Sequence, residues 1–167
     1  MKRQIVLVVA AAVVAMVSGA GRLALAQSAP ELVVSPAWVA ERLNAPDVVI
    51  LHVGPAAGYA TAHIPGARLA APASFSVTGQ RADGTPLNLQ MPDAETLRQG
   101  LEGLGISDNS HIVVYAPTPN NTAIATRLML TLQHAGLGAR SHFMQGGLTE
   151  WVAEGRATTD VVPEPGS

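Results

Sequence analysis

Apolar residues fall in short unbroken runs separated by Pro, Gly and polar clusters, and the runs alternate with stretches whose apolar positions recur every three or four residues. Val48-Val49-Ile50-Leu51-His52-Val53 and Ile112-Val113-Val114-Tyr115 are runs that suit strands buried on both faces of a parallel sheet. Leu32-Val33-Val34 and the segment from Ser141 to Met144 predict two more strands. Ser35-Pro36 reads as the cap and first residue of a helix carrying Trp38, Val39 and Leu43. Pro92-Asp93 opens another, with Leu97, Leu101 and Leu104 on one face and Gly105 at its end. A third covers about 122 to 135, with Ile124, Leu128, Leu132 and Ala135 on one side. Residues 56 to 67 give a short helical stretch stopped by Ile64-Pro65-Gly66, and Gly146-Gly147 leads into a last helix holding Leu148 and Trp151. Strands alternating with helices call for an α/β fold, a parallel sheet flanked by helices. Residues 71 to 92 show no period and form a long excursion containing Pro, Gly and Ser.

The run that ends at Tyr115 passes into Ala116-Pro117-Thr118-Pro119-Asn120-Asn121 and then into the helix starting near Thr122. A loop between a buried strand and a helix N-terminus is where many α/β proteins hold an anion or a nucleophile. This one contains no Cys, Ser, His, Asp, Lys or Arg. Three readings of it stand open. Thr118, Asn120, Asn121 or Thr122 caps the helix, with Pro at its first position. Alternatively, the neutral amides and hydroxyls of Ala116 to Thr122 line a small polar binding pocket. In the third, Thr118 is a nucleophile, although no base adjoins it in sequence. His52 ends its strand at the edge where α/β ligands sit, which makes it a candidate cleft residue. His52, His63, His111, His134 and His142 lack the close spacing of a metal site, so no metal is expected. With no P-loop, dinucleotide fingerprint or G-x-S-x-G elbow, no cofactor is expected either.

Composition changes the picture at the two ends. Lys2 and Arg3 precede an apolar run from Ile5 to about Val17 and small residues ending in Ala24-Leu25-Ala26, the pattern of a secretory signal peptide cleaved after Ala26. The rival is an uncleaved membrane anchor, for which the run is short. Residues 27–31 are then expected to form a flexible lead-in, 32–158 the domain and 159–167 a disordered tail. Without residues 1 to 26 the chain has seven Arg and no Lys against twelve acids, a net charge of −5. Such a surface repels nucleic acid. The mean hydropathy of +0.26 is inflated by the leader, and no stable membrane insertion is expected after cleavage. The chain has no Cys, so it carries out no thiol, persulfide or iron–sulfur chemistry by itself, and it cannot carry a lipid as a lipoprotein does.

Three stretches in order resemble the rhodanese-like family of thiosulfate and 3-mercaptopyruvate sulfurtransferases. Tyr59-Ala60-Thr61-Ala62-His63-Ile64-Pro65-Gly66-Ala67 looks like the family's aromatic-x-x-Gly-His-Ile-Pro-Gly-Ala segment, with Ala62 in place of Gly. His111 to Tyr115 looks like the strand leading to the catalytic loop, and Gly146-Gly147-Leu148-Thr149-Glu150-Trp151 like the Gly-Gly-x-x-x-Trp ending. The resemblance covers roughly residues 32 to 156 and implies a three-layer domain with a central parallel sheet of about five strands. Leu104-Gly105-Ile106-Ser107-Asp108-Asn109 and the long spacer before it look most like the non-catalytic first domain of two-domain members. In that role Tyr59, His63, Pro65, Gly66, Gly146, Gly147 and Trp151 are structural.

The family's catalytic positions do not carry over. The resemblance puts Ala116 where the nucleophilic Cys stands, Pro117 where a basic residue often follows, and Asn121 at the later loop Arg; the frequent Asp and Arg closing the second strand become His52 and Gly54. Prolines at 117 and 119 also delete two amide donors. The sequence therefore predicts a periplasmic or secreted rhodanese-homology domain without sulfurtransferase activity of its own, serving as a binding, scaffolding or regulatory module. The main rival is the silent half of a split sulfurtransferase, whose partner would be a Cys-bearing rhodanese domain or another exported protein. A third reading places other chemistry on His52 and the 71 to 92 excursion.

Overall fold

The structure, a computed structural model, describes residues 31–163. The expected signal peptide, nearly all of the lead-in and the last four positions lie outside the described residues. In chain order the elements are β1 (Val33–Val34), α1 (Pro36–Ala40), β2 (Val48–His52), α2 (Ala56–Thr61), β3 (Arg68–Leu69), β4 (Val77–Gln80), β5 (Pro86–Gln90), α3 (Ala94–Gly103), β6 (His111–Tyr115), α4 (Thr122–His134), β7 (Ser141–Met144) and α5 (Gly147–Ala153). Five strands form one parallel sheet in the order β1-β7-β6-β2-β3.

Both faces of this sheet are covered, which is why its strands read as continuous apolar runs. Side chains alternate across a strand, so the register Val48↔His111 to His52↔Tyr115 sorts residues onto two faces. Leu51, Val53, Ile112, Val114 and Ala116 face α3 and α4 and pack with Leu97, Leu101, Ala125, Leu128 and Leu132. Ile50, Val113 and Tyr115 face the other way and pack with Val34, Val39, Ile64 and Trp151. Each fully buried aliphatic side chain contributes about 1.5–3 kcal/mol, so these two cores hold the layers together without a disulfide.

The helix ends follow their local chemistry. Ser35 Oγ accepts from the Trp38 amide at 3.2 Å, and Asp93 Oδ1 accepts from the Thr96 amide at 2.9 Å. On α4 the buried positions are Ala125, Leu128, Thr131 and Leu132, while Ala135 is exposed just past its end. The helix then closes with the Leu137 amide on the Leu132 carbonyl and Gly136 at φ +81°. Helix α2 stops at Thr61, earlier than Ile64-Pro65 required, because Ala62 is already extended (φ −160°, ψ 130°). That backbone suits any residue, so Ala62 takes the place of the expected Gly without strain.

Two regions depart from the sequence reading. The 71 to 92 excursion contains an antiparallel hairpin, β4 with β5, turning at Asp83-Gly84, where Asp83 Oδ1 accepts from the Thr85 amide. Beyond residue 158, where a disordered tail was expected, Thr159 exchanges both backbone hydrogen bonds with His63, each 2.9 Å. Among the described residues no helix is long and apolar enough to cross a membrane.

Candidate functional site

Strand β2 leads through α2 to β3 on one side of the sheet, and β6 leads through α4 to β7 on the other. The carboxyl ends of β2 and β6 therefore flank the switch point at which α/β sheets open a ligand crevice. Here Pro117 packs across from β6 onto the end of β2. A Cβ on Gly54 would lie 2.5 Å from Pro117 Cγ and 3.1 Å from His52 Nε2, so the Pro117 ring rests on the bare Gly54 backbone.

Every carbonyl from Ala116 to Pro119 is also engaged. Ala116 O accepts from the Leu148 amide at 3.0 Å, Pro117 O from Thr149 Oγ1 at 3.3 Å, Thr118 O from the Asn121 amide at 3.0 Å, and Pro119 O from the Thr122 amide. Gly147, at φ +57°, makes the first of these bonds possible: a Cβ there would sit 2.0 Å from Ala116 O. The double glycine thus brings α5 against the loop. Neither Thr118 nor Asn121 caps the helix with its side chain. The Thr118 hydroxyl instead donates to Asn121 Oδ1 at 2.8 Å, and Asn120 points outward, exposed.

On the α4 side of the loop remains a depression of about 190 Å³ lined by Ala116, Thr118, Pro119, Thr122, Phe143, Gly146 and Gly147. Ala116 itself is only 3% exposed. The lining offers methyl, phenyl, prolyl and two hydroxyl groups, with no charge, thiol or imidazole. It can hold a small neutral group by shape and hydroxyls, but it supplies neither a base for Thr118 nor a cation for an anion. A larger groove of about 480 Å³, between α3 and the end of α4, touches none of these residues.

His52 lies inside the protein, away from the cleft expected for it, and is fully buried. Tyr115 Oη accepts from the Ile64 amide at 3.1 Å and lies 3.0 Å from His52 Nδ1, while Nε2 has no partner. Burial, followed by the charge of nearby His63, pushes the His52 pKa down from 6.5 to about 4. The ring is therefore neutral near pH 7 and, being sealed, has no substrate to act on. Desolvation also pushes the buried Tyr115 hydroxyl well above its ordinary value.

The motif residues have mechanical roles. Tyr59 Oη donates to Ala67 O at 2.7 Å, Gly66 turns at φ +77° after Pro65, and the Ala67 amide closes the turn on Ile64 O. Trp151 Nε1 donates to Ala157 O at 2.8 Å. Sequence reasoning missed Phe143, which the β6–β7 register places opposite Val114, and the close fit of Gly54 to Pro117. Among the described residues no group of three or more His, Asp or Glu is arranged to hold a metal ion.

Residues 35–154 match the sequence model of the rhodanese-like domain. A thiosulfate sulfurtransferase of Azotobacter vinelandii is 34% identical over 134 residues, which cover 80% of this chain and 46% of that protein. A sulfur carrier protein of Thermus thermophilus is 33% identical over 135 residues, 80% of this chain and 44% of that one. A probable 3-mercaptopyruvate sulfurtransferase of Pseudomonas aeruginosa is 31% identical, with 73% and 45% covered. The chain thus spans about half the length of the curated relatives it matches. Among solved structures, a 3-mercaptopyruvate sulfotransferase of Escherichia coli superposes with a TM-score of 0.66 at 24% identity, covering 80% of this chain and 52% of that one, a likeness of fold.

Proposed function

This chain belongs to the rhodanese-like family, and from that premise we propose that it is an exported binding or regulatory domain without sulfurtransferase activity of its own. The observation that carries the reading is the buried Ala116 methyl, standing where the resemblance puts the nucleophile, in a loop whose carbonyls from Ala116 to Pro119 are engaged and whose Pro117 ring packs against Gly54. A methyl group forms no persulfide. No cation or imidazole lines the remaining depression to favour an anionic sulfur donor. Incubation with thiosulfate or 3-mercaptopyruvate followed by intact-mass measurement tests it. The unmodified mass supports the reading, and a stable gain of one sulfur atom overturns it.

A second reading has its own support in the relatives' length: the domain is the silent half of a sulfurtransferase and works beside a Cys-bearing rhodanese chain. It predicts a stable complex burying at least about 1,000 Å². Co-purification from the native host distinguishes the two, because recovery of such a chain favours the split enzyme and its absence the free-standing module.

A further inference from the structure

The geometry points to His63 as a proton-operated clasp that fastens the segment from Ala157 to Val161 onto the domain. The ring is fully buried, and both of its nitrogens face carbonyl oxygens: Nδ1 lies 2.7 Å from Tyr59 O and Nε2 lies 3.1 Å from Val161 O. A carbonyl oxygen only accepts hydrogen bonds, and a neutral imidazole has only one N–H to give. Only the doubly protonated ring satisfies both carbonyls. With one proton removed, a nitrogen lone pair meets a carbonyl lone pair, and one of the two contacts becomes repulsive.

Each carbonyl is brought to the ring by its own segment. Tyr59 belongs to α2, and its own ring stacks on His63 at 4.0 Å and 18°, an arrangement that attracts a cation to the ring face. Val161 belongs to the segment that the Trp151 indole anchors at Ala157 and that Thr159 pairs to the His63 backbone. The Nε2 contact is therefore the fastening nearest the end of this strap. Val161 and Val162 are 69% and 61% exposed, so apolar packing holds that end weakly and the imidazole contact carries correspondingly more of the hold.

The titratable groups around the ring are few. His52 from β2 is neutral and meets the Tyr59 ring edge-on at 5.3 Å. Tyr115 from β6 holds the amide of Ile64, the next residue, and Tyr59 from α2 feels Arg68 of β3. Asp160 is the acid on the strap itself and is exposed. None of these lies between the ring nitrogens and the two carbonyls, so the ring's own protonation sets the clasp. Acidification fastens the strap and alkalinity loosens it.

Amide hydrogen exchange at Thr159, corrected for intrinsic exchange and followed across the pH range in which NMR shows the His63 ring losing its proton, tests this. Protection is expected to fall roughly tenfold as the ring loses its proton, the effect of losing one hydrogen bond to a charged donor. The fall should share the ring's midpoint and vanish in His63→Gln. Protection that is independent of pH, or that changes with a midpoint other than the ring's, overturns the clasp. The second criterion is read on the unaltered protein, so it holds even where the variant fails to fold.

Discussion

At the scale of single residues, His52 shows how burial decides chemistry. The folded ring stays neutral down to about pH 4, whereas the unfolded chain takes up that proton near 6.5. The unfolded state therefore binds the proton first, and this contribution to stability is present above 6.5 and lost as pH falls toward 4. His52→Phe should flatten urea-midpoint-against-pH profiles between those limits relative to the unaltered chain; an unchanged slope would assign the acid sensitivity elsewhere. The end of β2 was legible in the sequence, but the inward direction of its last side chain was not, since that depends on the register with Tyr115. That a methyl follows β6 in the loop was legible from the sequence. Replacement of Ala116 by Cys should still leave sulfurtransferase activity at least ~10²-fold below a Cys-bearing relative, because no cation lines the depression and Pro117 and Pro119 remove two amide donors from the loop. Activity equal to the relative's would show that only the nucleophile had been lost.

At the scale of elements, the loop, α5 and β2 form one packed unit. Gly147→Ala would place a methyl against the Ala116 carbonyl at a backbone angle that L residues avoid. A loss of about 2 kcal/mol or more in chemical denaturation is expected, and a change under about 0.5 kcal/mol would mean that the loop moves freely away from α5. The pair Gly146-Gly147 was visible as a motif, yet its reason, close approach to a loop distant in sequence, was not. The hairpin β4–β5 escaped the sequence for a different cause. Most of its positions are exposed on both faces, which erases the alternation that marks a half-buried strand. What holds it is Arg127 of α4, whose Nη2 donates at 2.9 Å to the carbonyl of Leu89, a residue at φ 57°.

At the scale of the whole molecule, the central sheet was readable because burial on both faces writes itself into continuous apolar runs, and three motifs in register gave the family. The pairing of Thr159 with His63 was unreadable, since it joins polar residues far apart along the chain. The domain preserves the rhodanese frame, while at its switch point Pro117 packs against Gly54 and a buried methyl follows β6. The small neutral depression beside the loop supports the proposed binding role, and the likeness to part of longer sulfurtransferases supports its partnered rival. Both share one central claim, that the domain transfers no sulfur alone. Thiocyanate formation from thiosulfate and cyanide, measured on the pure protein, tests that claim most directly: the account predicts a rate equal to the buffer blank, and sustained turnover above it would contradict the account.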